Sequence, residues 1–577
     1  MDDKLESWKE IAAFFQRDLR TVIRWEKELG LPVHRYPGKS KGGVYAHTSE
    51  LKEWANGPRR VAAERKLATE SAGVLVEPPE TPPADDFPAP PSSRPAASSR
   101  SIGVRGWLVV GVGLLAAFAL TGFAIWRSYR QPPISSVAVL PFDNLGTDSD
   151  PAFSEGLTDE VAASISRLDG IRVLGRRSAY VFQGKHDNLR DIGSRLNVEA
   201  VVEGSVQRSG ERIHVAVQLN RTSDGFTVWS QTFDGSSRDL IQIESEIASA
   251  VAQKLSPGRN SNVAASPPAD PEAHALYLQG RYLWNQRNLA AEQKSVEFMR
   301  QAIAKDPNYA QAWSGLADSL MTIGNLEAGQ PSDYIPQAQA AARKALQLDP
   351  NLADAHAVLG RIAAHYNYDW PTAEGEYKKA LALNPSYATA HQYYALGLMA
   401  HGRFAEAQQQ LDLARQLDPL ALIVGVDVAL LRKFQRDFAG VISESQRVLQ
   451  MDPNYHLGYS MLATGYYVSH RWDDWLALDA KEPQTYPATR ALIKGQTEEV
   501  KRELLADVQR AEKGEITAQV VLVEAVRAGD RKLAMEWLQR SYQNHDYWLL
   551  FLNVNPEMDP IRSEPQVQTM MQQIGVN

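Results

Sequence analysis

Hydrophobic and polar positions follow three different rhythms along the chain, and each rhythm predicts a different kind of element. Residues 107–126, WLVVGVGLLAAFALTGFAIW, include no charged side chain. At the helical rise such a run spans about 30 Å, the hydrocarbon thickness of a bilayer. Trp107 and Trp126 close its two ends, where an amphipathic ring suits the headgroup level. The run predicts one transmembrane helix over 106–127. From 136 to about 255 the rhythm switches between strand-like and helical runs: SVAVLPF as a strand, FSEGLTDEVAASISRLDG as a helix, IRVLGRR as a strand, DNLRDIGSRLN as a helix. Two longer strand-like stretches, VEAVVEGSVQRSG and RIHVAVQLNRTSDGFTVWSQTFDG, then lead into a helix from 237. That order predicts a compact α/β domain over 134–256, β-α-β-α followed by a meander and a closing helix. After a linker at 257–270, the pattern over 271–577 is helical throughout.

The first 66 residues show a pattern of their own. Ser7-Trp8-Lys9-Glu10 has the S-x-x-E spacing of a capping box, opening a helix whose apolar face is Trp8, Ile11, Ala12 and Phe15. A tight turn leads to a second helix, LRTVIRWEKELG. Here Val22, Trp25 and Leu29 stack on one side while Arg20, Arg24 and Lys27 stack on the other. One stripe suits a core and the other an anion. Gly30 ends the helix. His34-Arg35-Tyr36 and Val44-Tyr45-Ala46 then flank a Pro-Gly-Lys-Ser-Lys-Gly-Gly turn, a hairpin with Lys39 and Lys41 at its tip, before a short helix with Leu51 and Trp54. Two helices and a basic hairpin predict a winged helix-turn-helix over 1–66, with the second helix in the major groove and the wing on phosphates. The stretch TVIRWEKELGLPVHR resembles the MerR and excisionase-like group. That resemblance implies DNA contacts from Thr21 and Arg24, although one extra residue separates them here. Arg20, Thr21, Arg24, Lys27, Arg35, Lys39 and Lys41 are thus the candidate DNA-binding residues.

The helical region repeats itself. The prolines of KDPNYAQAW, LDPNLADAH, LNPSYATAH, LDPLALIV and MDPNYHLGY stand at 307, 350, 385, 419 and 453, close to 34 residues apart after a longer first interval. A 34-residue period ending in Asp/Asn-Pro is the tetratricopeptide pattern. In 388–421, Gly402, Phe404, Ala407, Ala414 and Pro419 stand at its turn, aromatic, small-residue and terminal positions. AGDRKLAMEWLQRSY, at 528–542, reads as a late unit, and six or more helix pairs are expected, with an extended concave face open to protein. In the preceding domain, SVAVLPFDNLG, SEGLTDEVAASIS, VVEGSVQRSGERIHVAVQLN and DGFTVWSQTFDG resemble the TolB-like domain of bacterial multidomain proteins, which is sometimes fused to adenylate cyclases or tetratricopeptide arrays. The resemblance implies a fold and an envelope or signalling setting, and no chemistry.

Composition narrows the function further. The net charge of −8 divides unevenly. Residues 1–66 hold 14 Lys or Arg against 10 Asp or Glu, 67–130 balance, and the rest hold 42 against 54. A basic front and an acidic back imply different partners. Residues 67–105, dominated by EPPETPPADDFPAPPSSRPAASSR, are too poor in large apolar residues to bury anything and predict a disordered tether. With no cysteine, disulfides and thiolate chemistry are excluded. No Walker loop, His-Glu-x-x-His or Gly-x-Ser-x-Gly appears, and GKSKGG reads as a hairpin turn. Asp85-Asp86 and Asp473-Asp474 read as solvated surface. His356 and His391 hold the aromatic position of their repeats and read as packing residues; His365, nine residues after His356, completes no site. No catalytic residue, cofactor or metal site is expected.

These readings combine into a multidomain α and α/β chain: a small winged helix-turn-helix, one transmembrane helix, a TolB-like α/β domain and an all-α tetratricopeptide solenoid. The layout is similar to CadC-like and ToxR-like regulators. It implies a bacterial inner-membrane, single-pass protein with a cytoplasmic head and periplasmic C-terminal domains. Such a protein would bind DNA through the head and a protein partner through the solenoid, with paired heads in a homodimer. The rival reading is an envelope protein-assembly scaffold whose head binds protein instead of DNA.

Overall fold

A computed structural model of the chain describes residues 4–5, 7–15, 22, 26, 31–35, 44–56, 134–146, 151–168, 170–185, 187–255, 270–286, 288–325, 331–482 and 486–576. Two compact units divide the chain, 1–118 and 119–577. The predicted tether and span lie outside the described residues. Among those residues no helix is long and apolar enough to cross a membrane.

In the first unit, Ser7 caps α1 (Trp8–Phe14), its hydroxyl accepting the Glu10 N–H at 3.2 Å. Strands β1 (Lys4–Leu5), β2 (His34–Arg35) and β3 (Val44–His47) form an antiparallel sheet ordered β1-β3-β2, with Arg35 opposite Val44. This is the predicted hairpin, joined by a first strand that the sequence pattern did not announce. It leads into α2 (Thr48–Asn56). Ile11, Val22, Leu31, Val44, Ala46 and Leu51 are buried together, with Trp8, Phe15 and Trp54 packed around them. Val22 thus faces a core as its stripe predicts. Trp25 and Leu29 lie outside the described residues.

The second unit begins with a mixed sheet. Strands β4 (Ser136–Val139), β5 (Asp143–Asn144), β6 (Arg172–Val173), β7 (Ala200–Ser209), β8 (Arg212–Arg221) and β9 (Thr227–Ser236) are ordered β6-β4-β7-β8-β9, with β5 also on β7. β4 runs parallel to both its neighbours; β7, β8 and β9 form an antiparallel meander. The apolar run of β4 reflects burial on both faces. Val137 and Val139 pack with α3 (Pro151–Ser166) and α6 (Leu240–Leu255), whereas Ala138 and Leu140 pack with α5 (Leu189–Leu196). The left-handed Gly210, at φ 60°, serves the two-residue turn between β7 and β8. One expectation is corrected. The strand at IRVLGRR stops at Val173, and Arg176–Tyr180 forms a short helix, α4, because Gly175 and Ser178 are engaged by the solenoid.

Eight helix pairs follow among the described residues. They are α7 (Pro271–Asn285) with α8 (Leu289–Lys305), α9 (Ala310–Asn325) with α10 (Pro331–Leu348), α11 (Ala353–His365) with α12 (Trp370–Leu383), and α13 (Ala388–Ala400) with α14 (Phe404–Leu417). Next come α15 (Leu422–Phe434) with α16 (Phe438–Met451), α17 (His456–Val468) with α18 (Trp472–Lys481), α19 (Pro487–Ile493) with α20 (Thr497–Glu512), and α21 (Ala518–Ala528) with α22 (Arg531–Gln543). This is a tetratricopeptide-type solenoid, each pair packed on the next. The small residues explain the close approach: Ala373, Ala380, Ala407 and Ala414 are fully buried between helices. The α/β domain does not stand apart. α3 packs on α7, where a Cβ on Gly156 would lie 2.9 Å from Leu278, and one hydrophobic core continues from the sheet to Val358 and Ile362.

Candidate interaction surfaces

Three successive repeat boundaries are fastened by the same device. The indole N–H of Trp313 donates to the carbonyl of Pro307 at 3.0 Å; His356 Nε2 and His391 Nε2 reach the carbonyls of Pro350 and Pro385, each at 3.1 Å. The ring stands six residues after the proline each time. The second nitrogens of the two histidines contact Glu376 at 2.5 Å and Gln410 at 2.7 Å on the following helix. Both rings are therefore structural, as expected of packing residues. His365 is buried with no hydrogen-bond partner, and burial with Arg361 nearby drives its pKa down to about 3. Among the described residues no group of His, Asp and Glu is arranged to hold a metal ion. Asp473 is exposed and Asp474 pairs with Arg471 at 2.7 Å.

Two surfaces of the solenoid hold other parts of the same chain. The first comprises the repeat-end loops. Ser386 Oγ accepts the Val173 N–H at 3.2 Å, Asn384 Nδ2 donates to Ser166 Oγ at 3.1 Å, and the Leu417 carbonyl accepts the Gly175 N–H at 2.6 Å. Asp418 accepts from both the Ser178 N–H, at 2.8 Å, and its hydroxyl, which in turn accepts the Leu420 N–H at 2.8 Å. Burial pushes the Asp418 carboxyl up, and the Ser178 hydrogen bonds with Arg177 draw it partly back. A side chain at Gly175 would meet Asp418 at 2.7 Å. The Asn/Asp-Pro turns that ended helices in the sequence pattern thus also dock the edge of β6 and the start of α4. Between them lies a cavity of about 360 Å³ lined by Asp159, Arg176, Arg281, Asn285, Asp354 and Tyr387 among others. Part of its charge is paired: Arg176 pairs with Asp159 and with Glu155 at 2.5 Å, and Asn285 donates to Asp159 at 3.2 Å.

The second surface is the face shared by the first helices of the middle repeats. The expectation of an open face is corrected here, because the C-terminal segment covers it. Residues 547–551 pack on α13, the rings of Phe551 and Phe434 of α15 meet at 4.9 Å, tilted by 30°, and Tyr547 lies 5.1 Å from His365 of α11. Leu549, Leu550, Phe551, Leu552, Met558 and Ile561 are all buried in one core with Leu398, Met399 and Leu430. Beside them Glu557 is clamped between Lys433 and Arg527, the latter at 2.5 Å, and Arg436 pairs with Asp559 at 2.6 Å. Burial pushes the Glu557 carboxyl up, but the two cations outweigh it and hold it at about 2. The segment continues through α23 (Asp559–Arg562) and α24 (Pro565–Gln573).

The candidate DNA-binding residues Arg20, Thr21, Arg24, Lys27, Lys39 and Lys41 lie outside the described residues. Of Arg35 the backbone alone is described, in β2.

No family model matches the chain. It is 29% identical over 236 residues to a protein named putative adenylate cyclase 3 of Rhizobium meliloti (strain 1021), spanning 40% of this chain and 40% of that relative's length. Solved structures that it resembles include a tetratricopeptide repeat protein from Parabacteroides merdae, at 13% identity over 45% of this chain and 99% of that one, with a TM-score of 0.34. Another is the type IV pilus biogenesis factor PilW, at 13% identity over 41% and 100% with a TM-score of 0.32. Pseudomonas aeruginosa pilF matches at 21% over 46% and 98% with a TM-score of 0.26.

Proposed function

We propose that this chain is a protein-assembly scaffold of the bacterial envelope. The observation that carries the reading is that the solenoid already binds polypeptide on two surfaces: the α/β domain on its repeat-end loops and the C-terminal segment on its first-helix face. Stacked helix pairs suit that work, since recognition needs surface and no reacting group. In the crevice between the α/β domain and the repeat-end loops, Arg176 is paired with Asp159 and Glu155, which supports a role in holding polypeptide. In this reading residues 107–126 anchor the scaffold in the inner membrane, with the α/β domain and solenoid in the periplasm, and the head recruits a protein on the cytoplasmic side.

A second reading, a membrane-anchored transcription regulator, is favoured by one feature of the head. β3, α1, α2 and Val22 share a core, and β3 pairs with β2 as the hairpin of a winged helix would. The two readings part at the basic stripe. In a regulator, Arg24→Ala weakens specific DNA binding about 5- to 150-fold, the worth of a base-edge arginine contact, and promoter occupancy mapped by crosslinking collapses. A scaffold with Arg20, Arg24 and Lys27 all changed to alanine keeps its envelope partner and its phenotype. Loss of DNA occupancy in that variant would overturn the scaffold reading.

A further inference from the structure

β9 closes one side of the six-stranded sheet, and among the described residues no strand pairs with its outer edge. Exposed edges of this length are ordinarily blunted by lysine, proline, a bulge or a covering element. β9, TVWSQTFDGS, contains no lysine, arginine or proline. The one irregularity of its pairing sits at the hairpin end, by Leu219 and Asn220, which leaves Trp229–Ser236 in regular register with β8. Thr227, Val228, Ser230, Gln231, Thr232 and Asp234 are exposed, and Phe226, just before the strand, is 72% exposed. Its one acidic side chain, Asp234, is hydrogen-bonded to His214 on β8 at 2.7 Å.

We propose that β9 pairs with β9 of a second copy of this chain, antiparallel about a twofold axis at Gln231, joining the two sheets into one. The edge is complementary to itself in that register. Gln231 faces its own copy, Trp229 faces Phe233 of the second copy as an aromatic cross-strand pair, and Asp234 faces Val228, so that no like charges meet. A two-fold contact of this kind uses the same patch on both partners, and the main-chain groups along the outer edge, which no strand among the described residues pairs, gain a ladder. A heterologous peptide would find no charged or deep feature on this strand to select it, whereas a second copy needs none.

The absence of cysteine gives a direct test. In the full-length chain, Gln231→Cys should crosslink to a disulfide dimer under mild oxidation, far faster than Gln253→Cys on the exposed side of α6. Opposed residues of an antiparallel pair lie within disulfide reach. Gln231→Lys and Gln231→Glu, both on an exposed position that leaves the monomer folded by circular dichroism, should each weaken self-association about tenfold or more in analytical ultracentrifugation. Mixing the two variants should restore it. A chain that stays monomeric across a micromolar series, a dimer indifferent to both substitutions, or crosslinking no faster at 231 than at 253 would each overturn the proposal, the second by placing the dimer contact on another surface.

Discussion

Asp427 shows how single residues set the chemistry of the first-helix face. Its carboxylate accepts from Gln392 Nε2 at 2.7 Å, and its pKa is raised to about 7 by burial, against the pull of that hydrogen bond and of Arg177 and Arg361. The folded chain therefore keeps a proton that the unfolded chain loses above its ordinary value. This group's contribution to stability falls as pH rises from about 4 to about 7 and is level beyond. Asp427→Asn, which can still accept from Gln392, should remove that decline and raise stability at pH 8 by about 2 to 4 kcal/mol, read by denaturant unfolding at pH 5 and pH 8. Glu557 has the opposite sign. Its lowered pKa contributes stability that is present above about 4.5 and lost as pH falls through about 2. Glu557→Gln would leave Lys433 and Arg527 buried without a counter-charge, and should cost about 3 to 5 kcal/mol at neutral pH. The melting temperature of the purified variant checks it.

At the scale of elements, what was legible in the sequence is what local pattern controls. The period of the prolines gave the helix pairs, and alternation gave β7 and β8, whose registers match over ten residues. The apolar run of SVAVLPF gave β4. Helix α4 escaped because its cause is distant: Ser178 is held by Asp418, 240 residues away, and nothing near Arg176 signals it. The same applies to the Lys433–Glu557 pair, 124 residues apart, and to the edge of β9, whose meaning depends on where the meander ends. Ser178→Ala tests the docking of α4. It removes the donor to Asp418 and the acceptor of the Leu420 N–H in a buried setting, so it should cost about 1 to 3 kcal/mol. Amide hydrogen exchange should report it first at Leu420, ahead of any change in the helices around it. Equal protection in the variant would show that the loop is held by other contacts.

For the 119–577 unit as a whole, the decisive fact is that the C-terminal segment belongs to the core. A solenoid with an empty first-helix face would present a peptide groove. Here that face is filled by Leu549, Leu550, Phe551 and Leu552, with Met570, Met571, Ile574 and Val576 buried in the same cluster. Fully burying one such side chain is worth about 1.5 to 3 kcal/mol, and whole domains are stable by only about 5 to 15 kcal/mol. A segment that buries so many of them is not a plug that a passing peptide displaces. The first-helix face of the middle repeats is therefore closed to a passing peptide. Truncation after Asn544 should therefore lower the melting temperature steeply and expose apolar surface to a hydrophobic dye, and it should not yield a folded chain with a new peptide-binding groove. If the truncated chain kept its cooperative unfolding and bound the excised segment 545–577 added in trans with the parent stability restored, the segment would be a detachable ligand and the first-helix face a working receptor.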